Sequence, residues 1–218
     1  MMRRFLLYFA QEHVEFRYPE ISSIIKLYNL NVQVPAFSLR PFWILENVDE
    51  SDLRKIASRS VSLRNIVEVW ASGKSFPEFH ENLKNFNKSI DEKFTSEDYS
   101  FKILVEMYNK HVKHSEKVEK IETLDYLPLN GRIDLKSPDF NFVYFEFWGL
   151  DPKKVPDAPE DIVFGRWIAD GQREMANKIS LKTRKFIGNT SMRPILSLLM
   201  ANQGMCAEND LVFDPFSG

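Results

Sequence analysis

The first third of the chain alternates between strand-like and helix-like stretches, and this alternation limits the fold more than any other feature. Strands rich in apolar and β-branched residues are predicted at 3–10, 42–48 and 61–71. Helices with apolar side chains at three- and four-residue spacing are predicted at 19–30 and 49–59. A strand–helix–strand–helix–strand order of this size is typical of a small ferredoxin-like layer.

The middle of the chain continues the alternation. Ser75 can cap a helix over 76–86, because its hydroxyl can accept from a free amide of the first turn. Further strands are predicted at 101–108, 132–135, 140–147 and 162–168, and further helices at 115–127 (capped by Ser115) and 170–179. The aromatic run at 140–148 allows two interpretations, a surface on which bases stack and a buried strand. We favour the buried strand.

The stretch 186–218 has a different organisation. Thr190 or Ser191 can cap a helix that Gly204 ends, and a short buried strand is predicted at 210–214. The strand leads into the turn Asp214-Pro215-Phe216-Ser217-Gly218. In open α/β sheets, ligands bind beyond the carboxyl ends of the strands, so this turn is a candidate ligand loop.

Several motifs carry a family resemblance. The 214–218 turn resembles the D-P-F-x-G sequence that opens the S-adenosylmethionine (SAM) loop of class I RNA and DNA amino-methyltransferases. The runs at 164–173 and 184–192, together with 10–17 near the start, resemble the catalytic subunit family of eukaryotic tRNA guanosine-10 N2-methyltransferases, which contain a THUMP domain. A single five-residue motif would be weak evidence, but separate motifs in the same order are specific.

The resemblance implies an α+β fold in three parts. We expect an N-terminal ferredoxin-like domain over 1–73 and a THUMP-like RNA-binding domain over 74–180. A linker and the truncated start of a Rossmann-like methyltransferase domain, its first helix and strand, would occupy 181–218. The implied function is tRNA binding by the N-terminal portion of a SAM-dependent tRNA (guanine-10, N2) methyltransferase. A small zinc-binding activator subunit is an implied partner.

The resemblance also implies the cofactor residues. The positions that match the family are Asn189, Thr190, Asp214, Pro215, Phe216 and Gly218. The family's ribose-binding acid and its Asp-Pro-Pro-Tyr motif, which orients the guanine amine, do not occur after Asp214 in these 218 residues. We therefore assign no catalytic residue, interpret the chain as a fragment, and expect it to bind SAM poorly and to be inactive alone.

A basic segment at 161–193 is the candidate RNA contact. It holds seven Lys or Arg against three acids, a net +4, in a chain of net charge −2. Such cations can neutralise RNA phosphates and release counterions, and THUMP domains are thought to hold the acceptor end of tRNA. A solvated helix surface is the alternative. The predicted contacts are Arg166, Arg173, Lys182, Arg184, Lys185 and Arg193.

Other chemistry finds little support in the sequence. The single Cys206 excludes an internal disulfide and a cysteine-built zinc site, and His111 with His114 offers no third metal ligand. His13 has no nucleophile beside it in the sequence. No apolar run approaches the roughly 18 residues of a membrane helix. We expect no metal, no membrane contact and a cytoplasmic location.

Two other functions stay open at this point. The chain could be a stand-alone RNA-binding or regulatory module whose cofactor loop is vestigial. It could also be an unrelated nucleotide-binding α/β protein in which the turn at Asp214 meets a phosphate.

Overall fold

The computed structural model describes residues 3–35, 37–180, 182, 185 and 191–213. These residues contain seven strands and six α-helices. The strands are β1 Arg4–Phe9, β2 Phe42–Glu46, β3 Leu63–Gly73, β4 Ser100–Tyr108, β5 Arg132–Ile133, β6 Phe140–Phe147 and β7 Asp161–Asp170. The helices are α1 Arg17–Leu27, α2 Glu50–Ala57, α3 Phe76–Phe86, α4 His114–Glu122, α5 Met175–Lys178 and α6 Pro194–Gln203.

The strands form one mixed sheet in the order β2-β1-β3-β7-β6-β4-β5. Strand β4 pairs in parallel with β5 and with β6, whereas β6 and β7 are antiparallel. This arrangement confirms the predicted α+β class.

The chain divides into two compact units. Unit 1 comprises Met1–Leu6 and Val67–Trp167, and unit 2 comprises Leu7–Ile66 and Ile168–Gly218. The boundaries fall inside β1, β3 and β7, so each of these strands contributes residues to both units. The predicted three-domain division follows sequence motifs instead of contacts, and it stays a prediction.

Unit 1 has an aromatic core. Trp70 packs against Phe86, Phe94, Phe142 and Phe164, with ring centroids 5.0 to 5.9 Å apart. Burial of aromatic side chains supplies large apolar areas, and tilted or edge-on ring pairs add to the packing energy. Strand β6 lies in this core and is buried from its third residue to its end. The buried-strand interpretation of the aromatic run is therefore confirmed, and the stacking surface is wrong.

Unit 2 is built from β2, α1, α2, α5 and α6 with parts of β1, β3 and β7. Leu53 and Ile56 of α2 are fully buried, as their helical spacing predicts. Helix α6 packs against α1. Ile21 and Ile24 of α1 are fully buried, and Leu199 of α6 is nearly so.

Three predicted elements differ from the structure. Helix α4 spans His114–Glu122 instead of 115–127, and its N-cap is Lys113 instead of Ser115, because the Glu116 carboxylate accepts from the Lys113 amide. The helix predicted at 170–179 is reduced to α5, because β7 continues to Asp170 and the Gly171 amide then donates to the Arg64 carbonyl.

The third difference concerns the strand predicted at 210–214. Residues 210–213 form no strand, and Leu211 and Phe213 are 98% and 83% exposed. A strand needs a neighbour for its ladder of backbone hydrogen bonds, and the described residues offer none to this segment. Asp214 lies outside the described residues.

Candidate nucleic-acid interface

The predicted basic segment does not form one exposed face among the described residues. Arg166 lies on β7 in unit 1 and is only 8% exposed. Its Nε is 2.9 Å from Oε2 of Glu68. The neighbouring Gly165 has a packing role, because a Cβ there would lie 2.0 Å from the Glu68 carbonyl oxygen. Arg166 is therefore a paired and largely buried cation, and its predicted contact with RNA stays a prediction.

Arg173 is also committed to contacts inside its own unit. One terminal nitrogen donates to the Val61 carbonyl at 3.1 Å, and the other donates to Oε2 of Glu12 at 3.0 Å. Its side chain is half-buried. A guanidinium held by a backbone carbonyl and a carboxylate has fewer donors left for a phosphate. The prediction that Arg173 contacts RNA is untested, and its contacts here are structural.

Three other predicted basic residues are described and accessible. Lys182, Lys185 and Arg193 are exposed in unit 2. The other predicted site residues lie outside the described residues; they are Arg184, Asn189, Thr190, Asp214, Pro215, Phe216 and Gly218. Their roles stay predictions.

Helix α6 is joined to unit 2 by a buried amide. Asn202 is 4% exposed, and its Nδ2 donates to Oε1 of Glu20 at 2.8 Å and to the Arg59 carbonyl at 3.0 Å. Its Oδ1 accepts from Nε of Arg59 at 3.0 Å, and the Arg59 fork also donates to the Cys206 carbonyl at 2.5 Å. Both donors and the acceptor of the amide are used, so the network fixes the carboxyl end of α6 on unit 2.

Three histidines and one tyrosine have the side-chain chemistry of possible ligands or proton donors. His80 Nδ1 lies 2.7 Å from the Tyr126 hydroxyl in unit 1. Burial lowers the pKa of His80, and the charges of Lys84 and Lys120 lower it further. Burial raises the pKa of Tyr126 to about 12. His111 and His114 are exposed, and the described part of the chain contains no group of three or more potential metal ligands.

The sequence interpretation missed the residues whose partners are distant in the chain. Glu20 and Asn202 are 182 residues apart, and Arg166 and Glu68 are 98 apart. The position of Glu20 beside the apolar Ile21, on a buried helix face, is a weak sequence signal that a glutamate has a distant hydrogen-bond partner. None of the six described helices is long and apolar enough to cross a membrane.

The comparison with known proteins places this fold in a family. Residues 3–173 match the family described as the Tmrp11 THUMP N-terminal domain, which is well over half of the chain. The chain belongs to this THUMP N-terminal domain family. The matched range includes all seven strands and ends before α5 and α6.

Relatives of this THUMP N-terminal domain are tRNA methyltransferases by name. The chain is 43% identical over 219 aligned residues to the Pongo abelii tRNA (guanine(10)-N(2))-methyltransferase TRMT11, covering 100% of the chain and 47% of that relative. It is 32% identical to the Saccharomyces cerevisiae tRNA (guanine(10)-N(2))-methyltransferase, covering 51% of the yeast protein. The chain thus spans about half the length of the curated relatives it matches.

Solved structures with a similar fold are more distant. The crystal structure of PH1313 from Pyrococcus horikoshii Ot3 aligns with 79% of this chain and 56% of its own length. The identity is 12% and the TM-score is 0.48, so this likeness carries no functional argument.

Proposed function

We propose that this chain is the tRNA-binding N-terminal part of a SAM-dependent tRNA (guanine-10, N2) methyltransferase. The observation that carries the proposal is the 43% identity to the Pongo abelii enzyme across the whole chain. The methyl transfer, the SAM cofactor, the small zinc-binding activator subunit and a cytoplasmic location are proposed for the whole protein by resemblance to that family.

Within this chain, the proposed role of the exposed cations is to position the RNA. Lys182, Lys185 and Arg193 are exposed cations with reach into solvent. Contacts from such side chains to phosphates fix where a tRNA lies without reading its sequence. The residues proposed to hold SAM lie outside the described part of the chain. The SAM proposal therefore rests on the family resemblance.

A stand-alone RNA-binding or regulatory module is the alternative. The observation that favours it is the buried network around Asn202, which holds α6 in the compact unit 2. Membership of the THUMP N-terminal domain family argues against an unrelated nucleotide-binding protein.

The test is the affinity of the chain for unmodified tRNA at about 50 and about 200 mM salt. We expect Lys182→Ala with Lys185→Ala to weaken binding and to lower the salt slope by about 0.7 to 0.9 for each phosphate that is no longer neutralised. The matched control is Lys153→Ala with Lys154→Ala, because these adjacent lysines are also exposed and lie in unit 1.

Two outcomes would contradict the proposal at different levels. No detectable binding of tRNA by the unchanged chain at the lower salt concentration would contradict RNA binding itself. Equal reductions in affinity in the two lysine pairs would leave RNA binding in place and would remove Lys182 and Lys185 as its specific contacts.

A further inference from the structure

Unit 1 contains a cavity of about 310 Å³. Its apolar lining includes Trp70, Phe86 and Phe94. The Trp70 and Phe86 rings stack with centroids 5.5 Å apart and an interplanar angle of 22°. Small-molecule sites typically occupy about 300 to 1,000 Å³ and combine apolar walls with a few polar groups. The cavity therefore has room for one small planar ligand.

The polar lining carries more positive than negative charge. Arg3, Lys93 and Arg166 are three cations, and Glu68 and Asp91 are two carboxylates, so the net charge is +1. Glu68 lies between the arginines, with Oε1 3.3 Å from Nε of Arg3 and Oε2 2.9 Å from Nε of Arg166. Lys93 Nζ is 3.2 Å from Oδ2 of Asp91.

The electrostatic surroundings of Asp91 agree with the excess of positive charge in the cavity lining. The Lys93 amide and then its ammonium hold the pKa of Asp91 below the usual range, and the charge of Arg166 lowers it further. Positive potential at the cavity wall favours an anionic ligand group.

Arg3 has hydrogen-bond donors that its contact with Glu68 does not use. Its side chain is 62% exposed, and Glu68 is its one charged side-chain partner among the described residues. That contact uses Nε, which leaves the two terminal amino groups for a ligand. The planar guanidinium fork binds phosphate oxygens two at a time, which a lysine cannot do.

A second cavity in unit 1 lacks an excess of positive charge in its lining. It measures about 450 Å³, and its charged lining is Arg4, Lys74, Glu78 and Asp161. Two cations balance two carboxylates there, and Lys74 is already paired with Asp161. Arg3 and Arg4 are adjacent in sequence but line different cavities, so each is a natural control for the other.

We propose that the 310 Å³ cavity binds a single nucleotide, with its phosphate on Arg3 and Lys93 and its base against Phe86. An aromatic wall beside cations is the combination that holds single-stranded nucleic acid without strict sequence preference. The proposal that this nucleotide belongs to an RNA chain rests on the proposed function. A free nucleoside monophosphate offers the same chemistry.

The test compares Arg3→Ala with Arg4→Ala in the full 218-residue chain. The probes are adenosine monophosphate, a single-stranded oligoribonucleotide and unmodified tRNA, each titrated by fluorescence anisotropy or calorimetry. We expect Arg3→Ala to weaken oligoribonucleotide binding about fivefold and to lower its salt slope by about 0.7, the value for one single-strand phosphate. Arg4→Ala should bind the oligoribonucleotide as tightly as the unchanged chain does. Arg3→Lys should bind it more tightly than Arg3→Ala but less tightly than the unchanged chain. Thermal unfolding of each variant checks that the fold is intact.

The outcomes separate this inference from the proposed function. If the unchanged chain binds tRNA and Arg3→Ala behaves as Arg4→Ala does, the cavity inference is overturned and the proposed function stands. If tRNA does not bind but adenosine monophosphate binds in an Arg3-dependent way, the cavity takes a free nucleotide and the proposed function fails. Oligoribonucleotide binding without binding of the mononucleotide supports an RNA source.

Discussion

The two units each bury a glutamate completely, and they stabilise it in different ways. Glu146 of unit 1 accepts from the Tyr144 hydroxyl at 2.7 Å and from Nε1 of Trp148 at 2.8 Å, and Nζ of Lys120 lies 3.0 Å from its Oε1. A cation thus compensates its charge. Burial and the proximity of Glu146 together raise the pKa of Tyr144, burial being the larger cause, so its hydroxyl stays a donor.

Glu20 of unit 2 relies on neutral donors. The amides of Val61 and Ser62 donate to it at 2.7 and 3.0 Å, the hydroxyls of Ser60 and Ser62 also donate, and Asn202 donates at 2.8 Å. No described cation pairs with it. Its place in the first turn of α1 adds the favourable field of a helix N-terminus.

From this comparison we infer that complete hydrogen bonding stabilises a buried charge more than a counter-ion does. Removal of a carboxylate that five donors share leaves several buried polar groups unsatisfied. Removal of one counter-ion leaves the other hydrogen bonds in place. The Glu20 site should therefore be the more sensitive of the two.

The largest expected effect comes from Glu20→Ala. Its buried backbone and side-chain donors would lose their acceptor, and we expect the free energy of unfolding to fall by about 3 to 5 kcal/mol. Urea unfolding followed by circular dichroism measures it. Glu119→Ala on the exposed face of α4 is the control and should change little. A Glu20→Ala effect no larger than that of the control would contradict the comparison.

A smaller effect is expected from Lys120→Met in unit 1. The methionine removes the ammonium that lies over the Phe76 ring and beside Glu146, whereas Glu146 keeps its bonds from Tyr144 and Trp148. We expect the free energy of unfolding to fall by about 1 to 3 kcal/mol in the same urea titration. Lys154→Met is the exposed control. A fall greater than that of Glu20→Ala would reverse the ranking of the two sites.

Asn202→Ala should act locally at α6. It removes three hydrogen bonds that connect α6 to Glu20 and Arg59, at a cost of about 1 to 2 kcal/mol. Hydrogen exchange measured on peptides should show faster exchange over 194–203 than in the unchanged chain. Gln203→Ala, the next residue on the same helix, should leave the exchange nearly unchanged. Unaltered protection of α6 in Asn202→Ala would show that apolar packing alone holds the helix.

The smallest expected effect is a pH dependence from His80. Its pKa in the folded state lies below the ordinary 6.5, so the unfolded chain binds a proton first as the pH falls. The stabilisation is complete above about pH 6.5 and is lost as the pH falls through the lowered folded pKa. Because the ring is partly accessible to solvent, we expect well under 1 kcal/mol.

His80→Gln should flatten this part of the profile when urea midpoints are compared at about pH 7.5 and about pH 5. His114→Gln is the control, because that side chain is exposed on α4. An unchanged slope in His80→Gln would assign the pH dependence to other groups.

Local features of the fold were predictable from the sequence. All seven strands lie within or close to their predicted ranges, and α3 begins after Ser75, whose hydroxyl accepts from the Glu78 amide. Helix α6 has Pro194 in its first turn and Gly204 at its C-cap, as residue preferences predict, but its N-cap is Arg193 and not the predicted Thr190 or Ser191. These features depend on neighbours within four residues, which the sequence displays directly.

Features that depend on distant partners were not predictable. A count of charges along 161–193 cannot show that Arg173 is held by Glu12, 161 residues away, or that Arg166 is buried beside Glu68. The strand predicted at 210–214 has suitable residues, but pairing needs a neighbouring strand. The proposed nucleotide cavity joins Arg3 to Phe86 and Arg166 through the sheet order, which a single sequence does not reveal.

The most direct test of RNA binding at these sites is photochemical cross-linking of unmodified tRNA to the unchanged chain, with the cross-linked peptides identified by mass spectrometry. We expect cross-links in peptides that contain Arg3, the segment Phe86–Phe94, or the exposed Lys182 and Lys185. Cross-links confined to other surfaces, such as the one around Lys153 and Lys154, would contradict the proposed interface, and their complete absence would contradict RNA binding by this chain.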